Sequence, residues 1–182
     1  MSKEEVITKL VPVFRHYGYE GTTVSRLSEA TGLKKASLYH HFRGGKEQMA
    51  EAVLECISDW IEDHVFAPLQ SEQPASDRIK AMIKGIDKFY EGGKTPCVLA
   101  VMSVGEADHL FHQQLEQSLT KWLDTLSEVV EATGVEPVQA RQRAEDAMIL
   151  IQGALVLVRV TQDTKLFQRT LSKLPQVLLE TP

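Results

Sequence analysis

The chain of 182 residues is short of several things that would each point to a particular class of protein. It has two cysteines, Cys56 and Cys97. That is too few for a disulfide framework or a cysteine-rich zinc site, so both read as small buried hydrophobes. Seven prolines and eleven glycines exclude collagen-like and low-complexity chains. The opening Met-Ser-Lys-Glu-Glu leads into no apolar segment, so no secretory signal is expected. The most apolar run, residues 147–158, falls short of the roughly 20 residues that cross a bilayer, which predicts no membrane contact and a cytoplasmic location. Nothing alternates apolar and polar residues in a sustained way, so strands are not expected. There is also no Gly-x-Ser-x-Gly elbow, no phosphate loop and no His-Glu-x-x-His pair. Cys97 and His109 stand without an activating partner, so no catalytic residue, cofactor or metal is assigned. The spacing of Glu106, His109 and His112 suits a carboxylate–imidazole metal face, but such trios are usually surface residues.

What is present is ordinary globular material: 43% hydrophobic and 25% charged residues with a mean hydropathy of −0.17. That is enough for a core, and excludes global disorder. The net charge of −5 is unevenly spread. Residues 1–48 hold eight Lys or Arg against five Glu, a net of +3, and three histidines. The remainder holds twelve against twenty, a net of −8. A basic end on an acidic body is the layout of a phosphate-binding module attached to a larger domain.

The periodicity is helical throughout and predicts an all-α protein of about nine helices. The first runs from about Lys3 to Tyr17, with Gly18 and Gly21 ending it and shaping a loop. Thr22 and Thr23 offer a hydroxyl cap for a second helix, Val24 to Thr31, which Gly32 stops in a left-handed conformation. A third covers Lys35 to Phe42. After Gly44 and Gly45 a long fourth helix starts near Lys46 and stops before Pro68. Further helices are expected at about 77–91, 97–105, 111–133 and 137–161. A final helix follows, capped by Asp163 and kinked or ended by Pro175.

Helix, loop, short helix, glycine turn and short helix form the pattern of a helix-turn-helix DNA reader. Val24, Leu27, Ala30, Leu33, Leu38 and Phe42 suit a small shared core, with Ala30 where two helices cross closely. Leu38 and Phe42, four apart, point inward together. Lys35, Ala36, Ser37, Tyr39, His40 and His41 remain for the outer face of the third helix. None is a carboxylate, as a helix facing phosphates requires.

Thr22-Thr23-Val24, Ala30-Thr31-Gly32-Leu33, Ser37-Leu38-Tyr39-His40-His41-Phe42 and Gly45-Lys46-Glu47 together resemble the N-terminal region of the tetracycline-repressor (TetR) family. The resemblance spans about residues 3–50. The His-His-Phe-Arg-Gly-Gly-Lys run and Pro96-Cys97 look like its LmrA/YxaF-like subgroup. Two departures stand out. Lys34 occupies the position where the family usually has a Ser or Thr cap, so either the helix starts one residue differently or Lys34 goes to a phosphate. Three residues rather than two separate Phe42 from Lys46, and the extra glycine exposes amides that would seat a phosphate.

The resemblance implies a DNA-binding domain at 1–48 and a ligand-binding and dimerisation domain at 49–182. It implies phosphate contacts from Thr23, Ser37, Tyr39, His41 and Lys46. Lys35 and Ala36 fall at the base-reading tip, since lysine bonds guanine edges and alanine touches a thymine methyl. Ser25, Lys34 and His40 add base or phosphate contacts. In the body, residues 147–158 are apolar nearly all round, so one side meets the core and the other needs a partner. Leu150, Gly153, Ala154 and Leu157, extended by Phe167, Leu171 and Leu174, are the expected dimer face. Trp60, His64, Phe89, Tyr90, Met102, Glu106, His109, Trp122 and Gln152 mix aromatic walls with polar anchors, as a pocket for a small hydrophobic or amphipathic effector does.

The sequence therefore predicts a ligand-responsive repressor, a homodimer on a palindromic double-stranded DNA operator, and not an enzyme. Two other readings stay open: a helical small-molecule-binding protein with a weak or vestigial DNA module, and an enzyme on a helical scaffold.

Overall fold

The computed structural model describes residues 1–180. Nine α-helices are found among them: α1 Lys3–Gly21, α2 Val24–Thr31, α3 Lys35–His41, α4 Gly45–Ile61, α5 Ala75–Phe89, α6 Val98–Met102, α7 Glu106–Glu131, α8 Pro137–Thr161 and α9 Lys165–Leu179. A π-turn, Glu62–Phe66, and a short helical piece, Ala67–Leu69, follow α4 directly, and Glu91–Gly93 form a 3₁₀ turn. No strand occurs among the described residues. No helix there is long and apolar enough to cross a membrane.

The chain divides into two compact units. One holds residues 1–60 and 98–115, and the other holds 61–97 and 116 onward.

In the first unit α1 opens with a capping box. Ser2 Oγ accepts the Glu5 amide at 3.2 Å while the Ser2 amide donates to Glu5 Oε2 at 2.8 Å. Gly18, with φ +65° and ψ −172°, kinks the helix, which then resumes to Gly21 rather than ending at Tyr17. A Cβ at Gly18 would lie 3.0 Å from the Val101 carbonyl oxygen, so α6 approaches closely there. The core joins Val6, Leu10 and Phe14 of α1 to Leu27, Leu38, Phe42 and Met49. Each large side chain buried there contributes about 1.5–3 kcal/mol relative to exposure. Ala30 departs from expectation. It is exposed on α2, and Thr31 takes the inner position, its hydroxyl donating to the Leu27 carbonyl at 2.7 Å.

The second unit packs α8 and α9 against each other and α5 against α9. Pro68 does not end the fourth helix as predicted. The π-turn places the Ala67 amide on the Glu62 carbonyl, and the chain stays helical past the proline. In an α-helix the carbonyl of His64 would have been served by Pro68, which has no amide. Gly85 of α5 packs onto that carbonyl instead: a Cβ at Gly85 would come within 2.2 Å of the His64 oxygen. Pro175 also fails to end its helix and lies inside α9, which begins where Asp163 Oδ1 accepts the Lys165 amide at 3.0 Å.

Candidate nucleic-acid interface

Residues 22–42 form the expected helix-turn-helix. Thr23 Oγ1 caps α2 by accepting the Arg26 amide at 3.3 Å. Gly32, at φ +73°, makes the left-handed stop. The turn is tied by Ser28, whose hydroxyl donates to the Leu33 carbonyl. Lys34 is extended and α3 begins at Lys35, with no side-chain cap from Lys34. The helix therefore starts where the sequence placed it.

This arrangement turns Ser25, Lys34, Lys35, Ala36, Tyr39 and His40 to solvent and leaves Ser37 and His41 half-buried, while Leu38 and Phe42 are fully buried. The outer face of α3 carries no carboxylate. Ser25, Ser28, Glu29, Gly32, Leu33, Lys34 and Lys35 line a hollow of about 440 Å³ beside the turn, where Glu29 supplies one negative charge at the edge. Tyr39 is 46% exposed. Its ring edge packs on the Gly44–Gly45 turn, with Cε1 3.4 Å from where a Cβ on Gly45 would sit.

Two expectations for this region change. The Gly44 amide donates to Gln48 Oε1 at 3.0 Å and the Gly45 amide to the Phe42 carbonyl at 3.0 Å. The additional glycine thus shapes the turn, and its amides are used within the chain. Lys46 donates from Nζ to the Tyr19 carbonyl at 3.2 Å and sits 3.9 Å above the Tyr19 ring. It anchors α4 to α1, and only its remaining N–H bonds are available to a phosphate. Other cations escaped the sequence reading. Arg26 donates to the Gly21 carbonyl and stacks 4.2 Å over the exposed ring of Tyr17, and Lys3 lies 5.4 Å over Phe42. Neither contact follows a helical spacing that periodicity would reveal.

The predicted effector residues fall in both units. Trp60, Met102, Glu106 and His109 belong to the first, where Met102 is buried and Glu106 and His109 are exposed. In the second, Phe89 and Tyr90 meet edge to face at 4.9 Å, and Tyr90 Oη donates to Cys97 Sγ at 3.3 Å. Trp122 lies edge-on to Phe66 at 6.4 Å. His64 Nε2 is 3.4 Å from Lys88 Nζ, and Gln152 Nε2 is 3.7 Å from Met148 Sδ. The suggested metal face does not form. His112 Nδ1 pairs with Asp108 Oδ1 at 3.1 Å, and among the described residues no three His, Cys, Asp or Glu side chains are placed to hold a metal ion.

The expected dimer residues separate cleanly. Phe167 and Leu174 are fully buried and Leu171 nearly so, all within the core of their own unit, and Ala154 is buried with them. These four are not available to a partner. Leu150, Gly153 and Leu157 are exposed on the other side of α8. Ile149 (67%), Val156 (55%) and Val160 (78%) join them. The stripe 149/150, 153, 156/157, 160 follows the three-four spacing of one helix face. That spacing could have added Ile149, Val156 and Val160 from the sequence.

Comparison with known proteins places these features in a family. Residues 8–53 match the model described as bacterial regulatory proteins, tetR family, and residues 73–172 match that of the C-terminal domain of LmrA/YxaF-like transcriptional regulators. The HTH-type transcriptional regulator LmrA of Bacillus subtilis is 20% identical over 181 residues, covering 97% of this chain and 96% of that protein. The negative transcriptional regulator IcaR of the biofilm operon in Staphylococcus epidermidis is 33% identical over 60 residues, a third of this chain and 32% of that one. Among solved structures, a TetR transcriptional regulator from Legionella pneumophila superposes with a TM-score of 0.82 at 20% identity, covering 98% of this chain and 97% of the other.

Proposed function

The chain belongs to the TetR family of bacterial transcriptional regulators, in its LmrA/YxaF-like group, and we propose that it acts as a homodimeric, ligand-responsive repressor of its target genes. The observation that carries this reading is the outer face of α3, which is cationic and hydroxyl-bearing, free of acid, and held by a capped and glycine-stopped turn. In this reading Thr23, Ser37, Tyr39 and His41 hold phosphates, and Lys35 and Ala36 read base edges, with Ser25, Lys34 and His40 beside them. Phosphate contacts set register and base contacts set sequence preference.

The exposed stripe of α8 supports a two-fold partner. A contiguous apolar patch of this kind marks an interaction surface, and a two-fold dimer buries the same patch from both copies. Two copies present two recognition helices, which suits a palindromic operator with half-sites one helical turn apart. The domain division at residue 48, action in the cytoplasm, where the DNA is, and the absence of catalysis all belong to the same reading. So does a small hydrophobic or amphipathic effector. To release DNA it must bind the DNA-incompetent state more tightly, since equal affinity for both states shifts nothing.

Selection of bound duplexes from a random library, followed by titration at two salt concentrations, tests the reading. Enrichment of an inverted repeat, bound by two chains with a steep salt dependence, is the expected result. Equal weak binding to every duplex would favour a helical ligand-binding protein with a vestigial DNA module.

A further inference from the structure

The last turn of α1 touches three other helices of its unit. Gly18 lies against α6. The Tyr19 carbonyl and ring hold Lys46 of α4, and the same ring meets Phe111 of α7 edge-on at 5.7 Å. Glu20 makes the most specific contact. One of its carboxylate oxygens, Oε1, accepts the amides of both Glu106 and Ala107, the latter at 3.3 Å. These are first-turn amides of α7, the helix that runs on for 26 residues to Glu131.

A helix usually caps itself with a Ser, Thr, Asp or Asn at its own N-terminus. Here the preceding residue is Gly105, which has no side chain to offer and adopts φ +66°. A Cβ at that position would stand 2.3 Å from Glu20 Oε1. The glycine both withholds a local cap and opens the space that a carboxylate 86 residues away enters. A local cap would satisfy the same amides without fixing anything else. A cap borrowed from α1 also fixes where α1 stands against α7, and α1 is the helix against which α2 packs, with α3 in turn packed on α2.

We propose that Glu20 is a positioning residue for operator recognition: its charged cap on α7 sets the placement of α1, and through α1 that of the α2–α3 reader. The inference rests on the regulator reading above. The carboxyl lies below its ordinary range, first because Glu20's own backbone amide favours the ionised form and then because the two α7 amides and Lys46 add to this against a smaller desolvation cost. Charge-assisted bonds of this kind are about twice as strong as neutral ones. An axial shift of α7 must either break both bonds or carry α1 with it.

Two variants test this from opposite sides of the contact: Glu20→Gln, which keeps the shape and removes the charge, and Gly105→Ala, which crowds the carboxylate oxygen. Each is measured, with the double variant, on a duplex selected by the wild-type protein and on a scrambled duplex, below the melting temperature of all three. The expected result is a loss of about tenfold on the selected duplex. Affinity for the scrambled duplex should stay unchanged, and the double variant should be no worse than either single one, as two changes to one contact behave. Wild-type affinity for the selected duplex, an equal fall on both duplexes, or additive losses would each reduce Glu20 to a stabilising cap and overturn the proposal. If the wild-type protein selects no duplex, the regulator reading falls and this inference with it. If it selects one and the variants match it, this inference falls alone.

Discussion

Leu157→Asp separates the surface assigned to the partner from the surface that folds the chain. Leu157 is 54% exposed in the single chain. Full burial of a leucine is worth about 1.5–3 kcal/mol, so roughly 1 kcal/mol per copy remains to be gained from a partner. In a two-fold interface both copies present the residue, which makes the lost burial about 2 kcal/mol per dimer. Placing two carboxylates in the desolvated patch adds at least about 2 kcal/mol more. A total near 4 kcal/mol corresponds to a dimer dissociation constant raised about a thousandfold. The monomer should hardly notice, because surface substitutions stay within about 0.5 kcal/mol and aspartate adds a similar helix-propensity cost. Sedimentation velocity at micromolar concentration should show the wild-type chain as a dimer and the variant as a folded monomer, with little change in thermal melting at matched monomer state. Leu171→Ala is the contrasting control. Leu171 is buried in its own unit, so truncation should cost about 2–5 kcal/mol of folding stability. A Leu157→Asp chain that remains dimeric at wild-type affinity would refute the assignment of the α8 stripe.

Tyr39→Phe removes only a hydroxyl from a ring already seated on the Gly44–Gly45 turn, so binding to all duplexes should weaken about equally in titrations against selected and scrambled DNA. Lys35→Ala should instead relax preference at particular base positions, by about 1–3 kcal/mol at each contacted base, read from repeat selections. The reverse pattern would invert the two roles. Gly85→Ala drives a Cβ against the backbone oxygen of His64 and should cost about 1–3 kcal/mol as overpacking, visible in denaturant unfolding. Gly153→Ala, with open space around it, should leave the monomer as stable or slightly more so. The depressed carboxyl of Glu20 predicts a pH-dependent contribution. A group whose folded value lies below its ordinary 4.5 stabilises the fold above that pH, and the contribution is lost as pH falls through the folded value. The melting-temperature difference between wild type and Glu20→Gln should therefore be full well above pH 4.5 and close as the pH falls below it. A difference that widened towards acid would contradict the cap.

The reader module was legible because its signals are local. The Thr23 cap, the left-handed Gly32 and the Leu38–Phe42 pair are each specified within a few residues, and the structure places all three as expected. The start of α7 was not. Periodicity starts it at Phe111, whereas in the structure it starts at Glu106, whose amide is met by Glu20 Oε1 of α1, 86 residues away. Lys46 looked like a free phosphate ligand for the same reason: the Tyr19 carbonyl that holds it is 27 residues away. The expected dimer face mixed exposed residues with buried ones because periodicity reports that a face is apolar and not what covers it. The apolar face of α9 turns to its own core, whereas α8 has two apolar faces and only one is covered within the chain. Pro68 read as a stop because a proline inside a helix costs a backbone bond, and the π-turn that accommodates it has no sequence signature of its own.

The central claim is that a dimer of this chain reads DNA through α3, and the most direct measurement is fluorescence anisotropy of the protein on its selected duplex against a scrambled one at two salt concentrations, with the chain-to-duplex ratio at saturation. The account predicts preferential binding, steep salt dependence and two chains per duplex, all of it lost when Lys35 and Tyr39 are both replaced. Equal binding to the two duplexes, or selective binding that survives the double replacement, would contradict it.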